Sequence, residues 1–420
     1  MLIVLFCAQC AKKEETIINP QDYAAYLVEP SGQSLSACNT EIAFWRAKLQ
    51  EVPESGTYRV KIASLLAARF MLNGRIEDVK SSDSLYHLVI DNDGHNAGLR
   101  RALAANYITQ HRFREAKEEV TQALAIGEGK AASLYMLVDV NIELGDYAGA
   151  RVAMNEFANK DFFPYVIRQA KLKDHEGQLD SAIVLMEGVI GQVRHNPSLL
   201  QWTQSNLADM YGHAGRIEEA YHMYLEVLRQ NPDYDYALKG IAWIAFSNDH
   251  NTAEAKRIVN VISSKRATPD MHLLLAEIAA AEGDTLENEK QLTTFARAAA
   301  APAYGDMYNK YLALLEAEAF DHAERTIAIA QREVDNRPTP QSYDLLAWGY
   351  LHHGDEEMAL MIAREFIEDK TYEPEAIYHL ARIYEANGQA DEAQRYFEAA
   401  AQGSFELGPA VTAEINRHMN

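Results

Sequence analysis

The sequence predicts an all-α solenoid, and three observations carry that prediction. A hairpin-like outline recurs along most of the chain at a period of about 34 residues. Within each copy, small residues sit where two helices must approach closely, with Tyr or Phe a turn away, as at Ala208, Tyr211, Ala220 and Tyr224. Gly ends the first helix of many copies, and Pro often resets the chain before the next. The length fits the same answer. A chain of 420 residues outgrows a single hydrophobic core, whereas stacked hairpins bury a core only against their neighbours.

Asn206 to Pro232 is the best-formed copy. Leu207, Ala208 and Tyr211 share one face of its first helix. Gly215 ends that helix. Ala220, Tyr224 and Val227 form the inner face of the second helix, and Pro232 stops it.

The chain before the repeats reads differently. Residues 1–9 form an apolar run, and Cys10 follows directly. That pattern is read as a signal peptide over 1–9 and a tether over 10–21. Nine residues are too few to span a bilayer as a helix. Residues 22–57 are read as an N-terminal helical cap, with helices over 22–27 and 34–51. Ile42, Trp45 and Leu49 share a face of the second, which Pro53 and Gly56 end.

The array occupies 58–402. Its first copy holds Leu66, Ala67, Phe70 and Gly74, with an irregular second helix in which Leu85 and Leu88 are displaced. The second holds Leu103, Ala104, Tyr107, Phe113, Ala116, Val120 and Ala123. The third holds Leu137, Gly145, Ala150, Met154 and Phe157. The fourth holds Ala170, Gly177, Ala182, Met186 and Val189. The fifth is the copy described above. The sixth opens with Ile241, Ala242 and Ala245, and its turn over 248–251 looks one residue long. The seventh holds Leu275, Ala276, Ala279 and Gly283; its second helix looks weak, because Asn288 stands where Ala is usual. Residues 299–302 read as a loosened junction. The eighth holds Leu312, Ala313, Ala323, Ile327 and Ala330, and ends before Pro338. The ninth holds Leu346, Ala347, Tyr350, Gly354, Ala359, Ala363 and Phe366. The tenth holds Leu380, Ala381, Tyr384, Gly388, Ala393, Phe397 and Ala400. Residues 403–420 are expected to form a closing helix.

These residues resemble tetratricopeptide repeats. The likeness is strong over 97–126, 201–234 and 340–402, and degenerate over 60–93 and 269–300. It implies a right-handed superhelix of about ten hairpins with capping helices at both ends. It also implies a protein or peptide partner held in the concave groove. At the N-terminus, the cysteine after the apolar run resembles a bacterial lipoprotein signal, with Cys10 as the acylated residue and Cys7 the weaker candidate. Gln9 departs from the small residue expected before that cysteine, and no Lys or Arg precedes the run. The stretch AKKEET behind Cys10 resembles a surface-export tag. Together these imply a lipid-anchored protein of the bacterial cell envelope, facing the periplasm or the cell surface.

The resemblance also places a groove. The residue after the small Ala of each first helix should point into it: Asp209, Trp243, Glu277, Trp348 and Arg382. So should the residues three before that Ala: Ser205, Lys239, Asp344 and Tyr378. Tyr236, Lys239, Trp243 and Phe246 then form one stripe, and Asp344, Trp348 and Leu351 another. Exposed aromatics in a groove make good anchors. The alternative is that Trp243 and Trp348 simply pack on neighbouring helices. The Asn and Lys or Arg clamp that would grip a peptide carboxylate is not evident, so an extended or apolar partner segment is the better fit.

Composition argues against other functions. The formal charge of −22 opposes a nucleic-acid groove, which needs clustered Lys and Arg. The cysteines are Cys7, Cys10 and Cys38, without the paired spacing of a structural zinc site. His352 to Glu357 is the densest run of possible metal ligands, but it lies at a hairpin turn, where His before the turn and acids after it complement the helix dipoles. Asp91 to Gly94 lacks the later Glu of a calcium loop. Gly127 to Lys130 is too short for a phosphate loop, and paired acids such as Glu218 and Glu219 open second helices. No catalytic constellation or cofactor motif stands out. The chain is therefore read as a non-catalytic scaffold that needs no cofactor. A solute- or glycan-binding lipoprotein of the starch-utilisation type is the alternative.

Overall fold

The computed structural model describes residues 16–27 and 33–419. The signal-like run and Cys10 lie outside them. Among the described residues all regular structure is helical, and ten hairpins follow one another. They pair Gly56–Asn73 with Ile76–Ile90, Ala97–Thr109 with Phe113–Ile126, Lys130–Glu143 with Tyr147–Asn155, and Phe163–His175 with Leu179–Val193. Next come Pro197–His213 with Ile217–Gln230, Asp235–Trp243 with Thr252–Lys265, and Met271–Ala281 with Thr285–Ala299. The last are Asn309–Glu318 with Ala323–Asn336, Pro340–His353 with Glu356–Ile362, and Pro374–Ala386 with Ala390–Ala401. Helix Gln33–Glu51 covers the open side of the first hairpin, and the closing helix Ser404–Met419 follows the tenth.

The fifth hairpin shows why the motif closes. Leu207, Ala208, Ala220 and Val227 are essentially fully buried. Gly215 has φ +71°, so the chain reverses there without Cβ strain, and the amide of Arg216 returns to the Tyr211 carbonyl at 2.8 Å. The other hairpins repeat the arrangement with local adjustments. The second helix of the first hairpin is regular, not broken, and is buried through Ile76, Val79, Tyr86 and Ile90. Helix Thr285–Ala299 is also complete. Asn288 tightens that hairpin by donating to the Ala276 carbonyl at 2.9 Å, which substitutes for close Ala packing. The extra residue in the sixth turn is real: the chain absorbs it as a π-helical turn over Ile244–Asn248, followed by His250 at φ +50°. A second π turn, over Ala363–Ile367 in the ninth hairpin, has no such signal in the sequence.

The array coils far enough for its second superhelical turn to lie against its first. The contacts fall at the hairpin tips. A Cβ added at Gly74 would meet Thr268, at Gly145 the Pro338 carbonyl, and at Gly177 the Tyr372 ring; at Gly212, beside the next tip, it would meet the Phe405 ring. Each of these pairs is 193 to 195 residues apart along the chain. Arg266 to the Met71 carbonyl and Arg337 to Glu143 share the spacing. One superhelical turn therefore takes between five and six hairpins of about 34 residues. A second set of contacts lies about one hairpin further on. Asn336 donates to the His111 carbonyl at 3.2 Å, and Arg114 donates to the Asn336 carbonyl at 3.0 Å. Each tip thus wedges between two hairpins of the other turn. At the start of this seam a separate core forms, in which Phe70, Ile76 and Val79 pack with Phe295, Ala299, Tyr304 and Tyr308.

Residues 16–27 do not cap the first hairpin. They dock on the fifth and sixth. The amides of Ile17 and Ile18 donate to the Asp249 carboxylate at 3.1 and 2.9 Å, and the fully buried Tyr23 donates to Glu254 at 2.7 Å. Part of the stretch expected to be a tether is therefore fixed to the array.

The seam makes a controlled prediction. Gly145 and Gly215 have nearly equal φ, +72° and +71°, but only Gly145 faces backbone from the other turn; nothing lies within 4 Å of a Cβ at Gly215. Gly215→Ala should cost about 1–2 kcal/mol of left-handed strain. Gly145→Ala should cost clearly more in urea unfolding. Equal costs would mean that the seam carries no load.

Candidate functional site: the enclosed channel

Coiling encloses a channel lined by the first helices of the hairpins. Asp209 and Arg382 are half-buried there, and Lys239, Glu277 and Glu318 are exposed to solvent. The site residues Tyr236, Lys239, Trp243 and Arg382 do reach this channel. The others meet the following fates.

Phe246 is buried, 2% exposed. It lies within the π turn, and the inserted residue rotates it off the stripe that a regular α-helix would have given it. Asp344, Trp348 and Tyr378 are also buried, and Leu351 is half-buried. The expectation of an open aromatic stripe over 344–351 is thus corrected. Trp348 stacks on His379 with ring centroids 3.9 Å apart, and its Nε1 donates to Glu318 at 3.1 Å. His379 in turn lies 2.9 Å from Asp344. Burial opposes a charged His379, but Asp344, with Glu375 and Glu318 beyond it, outweighs burial and raises its pKa. Trp348 therefore covers a buried His379–Asp344 contact.

Trp243 is half-buried by the chain's own C-terminus. Its Nε1 donates to the Phe405 carbonyl at 2.9 Å, and Ser247 donates to the same oxygen at 2.7 Å. Gly408 sits against the far edge of the indole and near Glu277. At the other end of the closing helix, Arg382 pairs with Glu414 and bonds the Tyr378 hydroxyl at 3.2 Å. The closing helix does more than end the array: it crosses the channel from the sixth hairpin to the tenth.

The channel is acidic. Glu277 has its pKa raised to about 7, first by the surrounding protein and then by Glu318 and Glu375. Enclosure likewise raises Glu318, Glu373, Glu406 and Asp174. Lys310, 2.6 Å from Glu375, partly offsets this charge and holds that carboxyl below its ordinary value against the cost of burial. Asp209 accepts hydrogen bonds from Tyr224 and, at 2.6 Å, from Tyr236. Such a surface can hold cationic or hydrogen-bond-donating groups. Sequence reasoning missed Glu318, because the register that selected Leu351 falls in this hairpin on the buried Ala317, one residue earlier. It also missed Lys310, although that residue stands three before Ala313 in the register that selected Lys239 and Asp344; Glu375 and the occupation by the closing helix depend on how far the array coils. Among the described residues, no group of three or more His, Cys, Asp or Glu is placed to hold a metal ion, and no helix is long and apolar enough to cross a membrane.

These features define the chain as an all-α solenoid of tetratricopeptide-type hairpins. The tetratricopeptide repeat family model matches residues 374–402, the tenth hairpin. No curated protein matches the chain in sequence. Among solved structures, the chain is similar to a human IFIT1 dimer bound to PPP-AAAA, at 12% identity over 74% of this chain and 72% of that one, with a TM-score of 0.48. It is similar to a tetratricopeptide repeat protein from Parabacteroides merdae at 15% identity, over 60% of this chain and 96% of that one, with a TM-score of 0.35. It is also similar to YrrB, described as having an unusual peptide-binding site, at 19% identity over 46% and 95% of the two chains, with a TM-score of 0.28.

The raised Glu277 pKa fixes a pH dependence. A carboxyl that holds its proton more tightly when folded carries no penalty below its ordinary pKa of 4.5, and its full penalty above about 7. Glu277→Gln should therefore stabilise the protein above that window and be neutral at its acid end. The expected gain is about 1 kcal/mol, well below the full shift, because the carboxylate keeps contact with channel water. Denaturant unfolding across that pH range reads it, and a gain that persists unchanged at the acid end would contradict the assignment.

Proposed function

We propose that this chain is a non-catalytic scaffold, anchored by lipid on Cys10 to a bacterial envelope, that captures a protein partner in its channel. The observation that carries the partner reading is the set of charged and hydrogen-bonding side chains facing enclosed solvent: Asp209, Lys239, Glu277, Glu318 and Arg382. The acidic balance favours a protein presenting basic or donor groups over a nucleic acid. The anchor reading rests on the residues around Cys10. It gains from the docking of 16–27 on the sixth hairpin, which would set where a tether leaves the array.

Saccharide binding is a second reading, favoured by a different place. A cleft of about 450 Å³ opens at the seam between the two turns. Two stacked ring pairs line it, Tyr147 on His175 at 3.8 Å and Tyr343 on Phe366 at 3.9 Å. Arg151 and Lys370 balance Glu176 and Asp369 there, so the cleft suits a neutral ring better than an ion.

Two experiments test these readings. Growth with radioactive palmitate should label the protein, and Cys10→Ala should abolish the label; a label that survives rejects the anchor. Crosslinking on intact envelopes, followed by pull-down, should recover a protein joined through channel positions such as Lys239. Recovery of no protein, together with glycan capture by the purified chain, would favour the cleft.

A further inference from the structure

The closing helix is thinly packed. Of its sixteen residues only Gly408 and Ile415 are buried, whereas the second helix of the fifth hairpin buries seven of its fourteen. It is broken at Gly408, which has φ +75°, and it restarts at Pro409. Its attachments are mainly polar and lie on the channel wall. The Phe405 carbonyl takes both the Trp243 indole N–H and the Ser247 hydroxyl. Glu406 lies 3.7 Å from His213, Glu414 pairs with Arg382, and His418 lies 2.8 Å from Glu385. Its apolar contribution comes from Phe405, which packs on the core of the fifth and sixth hairpins, and from Leu407, Val411, Ile415 and Met419, which pack on the core of the last hairpins. Beyond the break, the four-residue spacing of Val411, Ile415 and Met419 forms a single stripe along one helix face.

We propose that the closing helix is a resident ligand. The wall formed by Trp243, Ser247, Tyr378 and Arg382 is a helix-binding site, and the chain fills it in cis. The helix is then the pattern for what the channel accepts from outside. A fitting partner is an amphipathic helix with apolar residues at the spacing of Val411, Ile415 and Met419, and with an acid facing Arg382. This inference rests on the reading of the channel as the partner site and specifies its ligand. Binding of such a partner requires the closing helix to leave, and its few buried residues and the break at Gly408 favour that release. Occupancy in cis lowers the apparent affinity for any outside helix by the fraction of molecules in which the site is open.

The test uses the full chain and a fluorescent peptide with the sequence of residues 404–419. Wild-type protein should bind it weakly. The variant Val411→Glu with Ile415→Glu disrupts only the resident helix and leaves the wall intact, so it should bind the peptide about tenfold more tightly or better. Adding Arg382→Glu to that variant should abolish binding, and a peptide carrying Glu414→Arg should restore it. Equal binding to wild type and variant, or binding by neither, would overturn the proposal. Circular dichroism of the variant guards against loss of fold. If the peptide fails while envelope crosslinking still recovers a protein from the channel, the helix-binding inference falls and the scaffold reading stands.

Discussion

Close backbone approach at hairpin tips is the constraint on which this architecture depends. A solenoid is ordinarily one-dimensional, with each unit touching only its neighbours. Here the glycines that let a first helix end in the left-handed region also leave room for the chain some 193 to 195 residues further on. At Gly145 that neighbour is a backbone carbonyl, which cannot move aside as a side chain could. The same residue thus terminates a helix and admits the second superhelical turn. Once the turns touch, the groove becomes a channel. Protein then surrounds carboxylates that would be ordinary surface acids on an open array and raises the pKa of Glu277 and Glu318, with neighbouring acids adding to the shift.

The fold was legible in the sequence to a high degree, because its signals are local. Ala208 and Ala220 mark close helix approach, Gly215 a helix end and Pro232 a reset; ten hairpins stand where ten were read. Even the long sixth turn left a trace in 248–251, and its physical form is a π turn. The site was less legible. Register puts Lys239, Trp243, Glu277 and Arg382 on one face of the first helices, because helical spacing within one hairpin suffices for that. It failed at Phe246, where an inserted residue changes the spacing. It failed again at Trp348, whose surroundings include His379 from the next hairpin and Glu318 from the previous one. The seam involves residues nearly half the chain apart, and no period of about 34 residues announces it.

The sixth hairpin is where these features converge. The N-terminal segment bonds its turn through Asp249, and the closing helix bonds its first helix through Trp243 and its π turn through Ser247. Both ends of the described chain therefore meet on one hairpin that departs from the regular pattern, around a cavity of about 510 Å³. A π turn is an irregularity that often marks a working part of a helix. In this chain it turns Phe246 into the core and leaves Ser247 to hold the closing helix. Release of that helix and the position of the N-terminal segment are thus read by the same few residues.

The central claim is that the two superhelical turns form one cooperative body. Native-state hydrogen exchange with increasing denaturant tests it most directly. Residues 56–90 and 267–318 share the core around Phe70 and Phe295. They should lose protection together, at a single free energy, although neighbouring-repeat contacts alone would not link them. Independent opening of the two regions, each following only its adjacent hairpins, would contradict the closed architecture.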